Sequence, residues 1–238
     1  VFAHVDNIQD FIKNVKSLLK ENGIFVIEVP YLVDMLEKMT FDTIYHEHLS
    51  YFSIIPLVNF FEKNEMIVFK IKKVDSHGGS LRVFVKKQGA NFKIDDSVKS
   101  MIGNEKKIGI DSFELYKEFA DKVYATRMKL VKYLKDIKSK RKKIAAYGAP
   151  AKGNTLLNFC HIGTNYIDYI VEDNPLKQGL FTPGTHIPVV NPKMLDEDKP
   201  DYILILAWNF AKEILNKTKK YADAGVKFII PLPEPVLV

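Results

Sequence analysis

Short apolar runs alternate with amphipathic stretches through the C-terminal half of the sequence, and this alternation constrains the fold more than any other feature. Four runs have the length and β-branched content of buried strands: residues 143–147, 169–171, 202–206 and 227–230. Helical patterns separate them, one ending at Phe159 and another covering 210–224. The alternation predicts a small parallel sheet with helices on both faces.

The N-terminal part predicts a second sheet with a different ending. Apolar spacing indicates an amphipathic helix over 7–21, and the continuous apolar run at 24–29 predicts a parallel strand buried on both faces. Strands at 66–74 and 80–86 are separated by a short glycine-containing turn, so they are expected to form an antiparallel pair. The predicted fold class is α/β, with a first sheet that finishes in an antiparallel hairpin.

Three segments are expected along the 238 residues, because the chain exceeds the usual size of one domain. Residues 1–90 form the first domain. Residues 91–142 form a mainly helical connection, in which 91–101 is weakly patterned and 112–140 is one long helix. Residues 143–238 form a second α/β domain.

Composition and charge exclude several classes of protein. No apolar run approaches the ~18 residues of a membrane span and no basic signal segment opens the chain, so we expect a cytoplasmic protein without membrane contact. Cys160 is the single cysteine, which excludes an internal disulfide and a paired-cysteine zinc site. The net charge of +6 is concentrated in a run at 138–143 that lacks interleaved aromatics. It indicates a solvated helix end rather than a nucleic-acid surface.

Two imidazoles, a carboxylate and a phenol occupy consecutive positions at Tyr45, His46, Glu47 and His48. Histidine exchanges a proton near neutral pH, and a neighbouring carboxylate can orient the ring and raise its basicity. A general base is therefore the functional interpretation. A metal site is the weaker interpretation, because the sequence offers no third ligand and no metal is assigned. A polar loop with incidental histidines is the plain structural alternative.

Two glycine turns offer backbone amides to an anion. Gly78, Gly79 and Ser80 precede Arg82, a combination suited to a phosphate or a sugar hydroxyl but also to a simple hairpin turn.

The second turn lies between a strand and a helix and contains Gly148, Lys152, Gly153 and Asn154. It matches neither a Walker loop nor the G-x-G-x-x-G fingerprint, so a diphosphate contact and a purely structural turn both stay open.

Three further residues follow predicted strands. Glu172, with Asp173 next to it, occupies a position where an acidic side chain can accept from a ribose hydroxyl. Trp208 and Asn209 come after another strand at the same predicted edge. They fit a ligand contact or packing and helix capping equally well.

Residues 45–53 resemble the signature of the sugar C-methyltransferases of deoxysugar biosynthesis. The likeness extends over nearly the whole chain, through segments at 2–5, 28–31, 77–82, 147–154, 181–186 and 206–209. It implies a layout with an N-terminal zinc domain, a central S-adenosylmethionine domain and a C-terminal Rossmann-like domain. The zinc cysteines and the glycine-rich donor turn are expected before Val1, which would make this chain the C-terminal half of a class I methyltransferase sheet followed by the Rossmann-like domain. Zinc is therefore not assigned to this chain.

The resemblance also implies a reaction and residue roles. The expected reaction is S-adenosylmethionine-dependent methylation of a nucleoside-diphosphate 4-keto-deoxysugar, at C3. His48 is implied as the base that removes the C3 proton, with Tyr45 and Glu47 positioning it or the sugar and His46 at the substrate. His4, expected at the carboxyl end of a core strand, would polarise the ketone; the alternative is a capping or core histidine.

Two rival functions stay open from the sequence. The chain could be a fragment that binds a sugar nucleotide without methylating it, because the donor segment is expected to be missing. It could also be a nicotinamide-dependent oxidoreductase built on the C-terminal half, although the glycine fingerprint for that cofactor is absent from the sequence. The oligomeric state is not predicted.

Overall fold

The computed structural model describes all residues from 1 to 238, apart from the side chain of His77. The chain forms two compact units. The first comprises residues 1–38 and 46–119, and the second comprises 39–45 and 120–238. These units cross the boundaries of the three consecutive segments expected from the sequence, whose assignment as domains stays a prediction.

The first unit combines helices with three strands. Its helices are α1 (Ile8–Leu18), α2 (Leu32–Glu37), α3 (Ile54–Lys63) and α4 (Asp96–Ile108), and its strands are β1 (Ile24–Pro30), β2 (Met66–Val74) and β3 (Ser80–Lys87). The long helix α5 (Phe113–Ser139) begins in this unit and continues in the second. The sequence predicted that helix with nearly the same bounds.

The sheet of the first unit has the order β1-β3-β2, and each neighbouring pair is antiparallel. The predicted hairpin of β2 and β3 is confirmed. The prediction that 24–29 is a parallel strand buried on both faces is wrong, because β1 pairs antiparallel with β3 and exposes one face. Ile24 and Val26 are 42% and 44% exposed, whereas the alternate residues Ile27 and Val29 enter the core. An unbroken apolar run hides this alternation.

Helix α4 lies in the segment expected to be mainly helical, but its bounds were not predicted, because residues 91–101 lack a clear apolar stripe. Its start at Asp96 is capped by Asp95, whose side chain accepts from the Ser97 amide at 2.9 Å. The buried face contains Val98 and the charged residue Glu105. The carboxylate of Glu105 takes a position where an apolar residue would be expected, which weakens the helical pattern in the sequence.

The turn before β3 is shaped by a buried carboxylate. Asp34 on α2 is 2% exposed and pairs with Lys73 and Lys38 at 2.7 and 3.5 Å. Lys38 also donates to the Gly78 carbonyl at 2.7 Å. Gly79 has φ +130°, and a Cβ atom there would lie 2.1 Å from an Asp34 carboxylate oxygen. Only glycine fits this position.

The second unit contains a six-stranded sheet of order β6-β5-β4-β7-β8-β9, parallel except for β9. The strands are β4 (Ile144–Tyr147), β5 (Tyr169–Val171), β6 (Val189–Val190), β7 (Tyr202–Ile205), β8 (Lys227–Ile230) and β9 (Val236–Leu237). The helices after α5 are α6 (Ala151–Cys160), α7 (Met194–Asp198), α8 (Ala211–Lys217) and α9 (Lys219–Asp223). The predicted parallel strands are confirmed, and the α/β class holds for the chain.

One predicted helix is divided in two. The pattern at 210–224 indicated a single helix, but α8 ends at Lys217 and α9 begins at Lys219. Thr218 lies between them, buried, and its hydroxyl donates to the Ile214 carbonyl at 2.6 Å. A side chain that bonds its own helix backbone at such a position competes with helix continuation.

None of the described helices has both the length and the apolar character that crossing a membrane requires.

The close approach at Gly79 gives a stability prediction. Gly79→Ala should lower the free energy of unfolding by about 2–5 kcal/mol, because it adds backbone strain to a clash with Asp34. Urea unfolding followed by circular dichroism would measure the loss. Gly89→Ala is the matched control, since Gly89 also has positive φ but has nothing within 4 Å of its added Cβ. It should cost about 1 kcal/mol; equal losses at both glycines would contradict the clash.

Candidate active site

Two imidazole rings lie side by side in the first unit. His4 is the last residue of a 3-10 turn, Phe2–His4, and His48 belongs to the predicted motif. Their ring centroids are 5.2 Å apart, and the ring of Tyr51 lies 6.3 Å from that of His48. The sequence placed His4 at the carboxyl end of a core strand, whereas the structure places it in this turn. The two residues are nevertheless brought together as predicted.

Backbone hydrogen bonds hold the two histidine-bearing segments together. The Ala3 carbonyl accepts from the amides of Leu49 and Ser50 at 2.9 and 3.3 Å. The Phe52 carbonyl accepts from the Leu32 amide at 2.9 Å, and the Phe52 ring stacks on Phe2 at 5.2 Å. An apolar anchor and two amide hydrogen bonds therefore fix the part of the motif that follows His48.

The site is open to solvent. His4, His46 and Glu47 are exposed, and His48 is half-buried. A ring in this setting can exchange protons with a ligand, which an imidazole enclosed in the core could not do. Tyr45 is half-buried and belongs to the second unit, whereas His46 begins the next segment of the first.

The residues predicted around the first glycine turn have structural partners. Arg82 bonds one carboxylate oxygen of Glu28 through Nε and Nη2 at 3.0 and 2.7 Å, across the β1–β3 pair. Ser80 is buried and its hydroxyl donates to the Ser76 carbonyl at 3.1 Å. Gly78 and Gly79 form the turn over Asp34. The ion pair at Arg82 is exposed and can open, so a ligand role for this turn stays a prediction.

In the second unit, the predicted turn after β4 is tied to Glu172. Its carboxylate accepts from the Ala149 amide at 2.7 Å and from the Asn174 amide at 3.0 Å. Gly148 has φ +85°, and a Cβ there would lie 2.8 Å from the Ala207 Cβ. Glu172 thus orders the turn, a role that sequence reasoning had not considered.

The remaining residues of that turn pack inward. Gly153 is buried, and a Cβ added to it would lie 3.2 Å from side-chain atoms of Leu206 and Pro150. Asn154 is half-buried, and its carbonyl accepts from the Asn158 side chain at 2.8 Å. These contacts favour a packing role for Gly153 and leave the ligand role of Asn154 as a prediction.

Lys152, Trp208 and Asn209 form a polar cluster around Asp42, which the sequence had not indicated. Trp208 Nε1 donates to Asp42 Oδ2 at 2.6 Å, and Lys152 Nζ donates to Asn209 Oδ1 at 2.5 Å while lying 4.1 Å from the Trp208 ring centroid. The predicted residues are therefore neighbours. The signal that could have indicated Asp42 is that it is the single charged residue in the segment 39–44.

Burial sets the protonation behaviour of this cluster. Desolvation raises the pKa of Asp42 to about 6, although the Trp208 N–H and the Lys152 charge act in the opposite direction. Desolvation also lowers the pKa of Lys152, partly offset by Asp42. Among the described residues, Asp42 Oδ1 has no hydrogen-bond partner.

A cleft of about 340 Å³ lies at the carboxyl ends of the parallel strands in the second unit. It opens beside Tyr147 of β4, Glu172 after β5 and Ala207 after β7, where the strand order reverses direction. Ligands of open α/β sheets bind at such switch points. The predicted residues Gly148 and Glu172 line it.

The sequence indicated Asp173 beside Glu172 but did not indicate Lys177 and Lys217, which also line this cleft. Asp173 accepts from the Tyr147 hydroxyl at 3.0 Å and pairs with Lys217. Lys177 donates to the Ala149 carbonyl at 2.8 Å. Burial raises the pKa of Tyr147, so its hydroxyl stays a donor at neutral pH. Asp173 is the second residue after β5, so it lies at the same end of this strand as Glu172.

Within the described part of the chain, no three His, Cys, Asp or Glu side chains are grouped so that they could hold a metal ion.

Comparisons with known proteins show the family of the chain. Residues 75–233 match the family described as the C-methyltransferase C-terminal domain. The chain belongs to this family. It is 38% identical over 237 residues to the C-methyltransferase NovU of Streptomyces niveus, an alignment that covers all of this chain and 56% of NovU. The chain therefore spans about half the length of this curated relative.

The buried Asp42 makes stability depend on pH. Its carboxyl keeps its proton to about pH 6 in the folded protein but only to about pH 4 when unfolded. The folded state thus binds more protons in this interval, and raising the pH through it should lower the free energy of unfolding by up to about 3 kcal/mol. Asp42→Asn should remove this decline.

Urea unfolding at several pH values, followed through the fluorescence of Trp208, would test this prediction because Trp208 is the single tryptophan and contacts Asp42. Asp223→Asn, at an exposed carboxylate, is the control and should leave the profile unchanged. Parallel profiles for wild type and Asp42→Asn would contradict the prediction.

Proposed function

We propose that this chain supplies the catalytic base and the sugar-nucleotide contacts of an enzyme that methylates carbon. The substrate would be a nucleoside-diphosphate 4-keto-deoxysugar, the position C3 and the methyl donor S-adenosylmethionine. Membership of the C-methyltransferase family supports the reaction class. The sugar, the position and the donor follow from the resemblance of residues 45–53 to sugar C-methyltransferases.

One observation carries the proposal: the adjacent rings of His4 and His48, 5.2 Å apart and accessible to solvent. Methylation at carbon requires a carbanion, and a C–H bond beside a ketone becomes acidic only when the enolate oxygen is stabilised. Two neighbouring imidazoles can act on the C–H bond and on the ketone oxygen at the same time. His48 takes the proton from C3, and His4 donates a hydrogen bond to the ketone oxygen as negative charge develops there.

The neighbours of His48 have supporting roles in this proposal. Glu47 is exposed beside it in the sequence and can hold the imidazolium or a sugar hydroxyl. Tyr45 and His46 would orient the sugar ring. The turn at Gly78–Gly79, with Ser80 and Arg82, would contact a sugar hydroxyl or phosphate once Arg82 exchanges Glu28 for the ligand.

The cleft of the second unit is the proposed binding site of the nucleotide. Its position at the switch point of the parallel sheet supports this, as do the Lys177 and Lys217 ammonium groups near the turn amides at Gly148. Glu172 is placed to accept from a ribose hydroxyl if it gives up one of its two backbone amides. Lys152, Asn154, Trp208 and Asn209 would act at the border of this site.

The glycine turn between β2 and β3 does not fit the methyl donor. The glycine turn of the first unit has no space beside Gly79, because Asp34 fills it. The residue roles proposed for this chain therefore concern the sugar nucleotide and not the donor. Deprotonation at C3 requires only the base and the ketone, so it can be tested separately.

Solvent exchange at C3 tests the proposed base. In D₂O, without a methyl donor, the chain should introduce deuterium at C3 of a thymidine-diphosphate 4-keto-deoxysugar, because proton removal and return need no other reactant. His48→Asn should slow this exchange by about 10²–10⁴-fold, the usual contribution of a general base. Proton NMR of the sugar gives the rate.

His161→Asn is the matched control. It makes the same chemical change in the second unit, at a position of φ +54° that asparagine tolerates. It should leave the exchange rate unchanged. Undiminished exchange in His48→Asn would show that His48 is not the base.

The nucleotide cleft also favours a second function, binding of the sugar nucleotide without methyl transfer. Calorimetry distinguishes the two. Binding of the thymidine-diphosphate sugar without deuterium exchange, and without binding of S-adenosylmethionine, would support the binding function. Transfer of a methyl group by this chain, detected by mass spectrometry, would exclude it.

A further inference from the structure

A buried carboxylate lies at the start of the helix that follows the histidine motif. Glu105, on α4, is 0% exposed. Its two oxygens accept from the amides of Ile54 and Ile55 at 2.6 and 2.9 Å. These are the first two residues of α3, so Glu105 reaches from one helix to the N-terminus of another.

Helix α3 depends on this distant group for its capping. Its N-cap, Ser53, makes no side-chain capping bond within the described part of the chain, and the first turn of α3 contains no acidic residue. The N-terminal amides of a helix need acceptors and favour negative charge. Glu105 supplies both from α4.

A third donor completes the surroundings of the carboxylate. The Tyr31 side chain is hydrogen-bonded to Glu105, and burial together with the Glu105 charge raises the pKa of Tyr31, which keeps the phenol protonated. Two amides and a phenol thus compensate the cost of burying a charge, which would be severe for an unpaired carboxylate. The arrangement defines one position for the start of α3.

The start of α3 is also the end of the motif. Ser53 directly precedes α3, and Phe52 is held by the Leu32 amide and by the ring of Phe2. Phe2 and Ala3 lead to His4, while Leu49 and Ser50 lead back to His48. A displacement at Ile54 is therefore transmitted to both imidazole-bearing segments.

We propose that Glu105 is a positioning residue for the pair of His4 and His48. It touches no reacting atom in the proposed mechanism and acts by fixing the N-terminus of α3. Its effect on catalysis rests on the proposed function, but its effect on the two rings does not.

Glu105→Gln is the informative variant because it keeps the size of the side chain. The amide oxygen can accept from one backbone N–H, whereas the amide NH₂ faces the other N–H as a second donor. The charge at the helix N-terminus is also lost. Asp95→Ala is the matched control, since it removes the cap of α4 on the exposed side without touching Ile54 or Ile55.

Histidine ring protons in NMR spectra give a readout that does not depend on activity. Glu105→Gln should shift the signals of His4 and His48 and leave those of His161 and His186 in place. Asp95→Ala should lower the melting temperature and leave all of these signals unchanged. Unaltered His4 and His48 signals in folded Glu105→Gln would overturn the inference, as would shifts of equal size in Asp95→Ala.

The deuterium exchange assay measures the catalytic consequence. At saturating sugar nucleotide, Glu105→Gln should exchange about 10–100-fold more slowly, because small misplacements of a catalytic group have effects of this size. The half-saturating concentration should stay within about twofold of the wild type, since the group acts on placement of the base and not on binding.

The two proposals fail in different ways. A wild-type chain without exchange would refute the base assignment, while the NMR comparison would still decide the positioning role. Normal exchange in Glu105→Gln together with displaced rings would refute the catalytic consequence, because the rings would then have moved without effect.

Discussion

The carbonyl oxygen of Ala3 joins the two segments on which the candidate site depends. It accepts hydrogen bonds from two backbone amides of the motif, those of Leu49 and Ser50. Ala3 itself lies between the core residue Phe2 and the exposed His4. The hydrophobic core thus sets the position of Phe2, and the backbone connects Phe2 through Ala3 to the imidazole-bearing residue His4. The positions of the surface histidines therefore depend on the aromatic packing beneath them.

Sequence reasoning located the fold where local pattern and tertiary environment agree. The parallel strands of the second unit, the β2–β3 hairpin and the long helix α5 all have the expected periodicity, and the structure contains them. It failed where a polar group replaces an apolar one, as at Glu105 in α4. It also failed at β1, where apolar residues such as Val26 remain exposed. Pattern alone does not reveal which face of a strand is covered.

The candidate site shows the same division. The proximity of His4 and His48 was predicted, because the resemblance covers both segments. The partners that order the site were not predicted, since Asp42 and Glu105 are single carboxylates far in sequence from the groups they bond. Cross-strand and helix-terminus contacts of this kind depend on register and packing, which one sequence does not specify.

The division of the chain has a consequence for work with shortened proteins. Residues 39–45 belong to the same compact unit as 120–238, although they are distant in sequence. A polypeptide starting at Ala120 would contain every strand of the six-stranded sheet and still lack the segment that brings Asp42 to Trp208 and the ring of Phe41 to Phe159. Such a truncation would therefore leave the Phe159 ring without its Phe41 contact and the Trp208 indole without its acceptor.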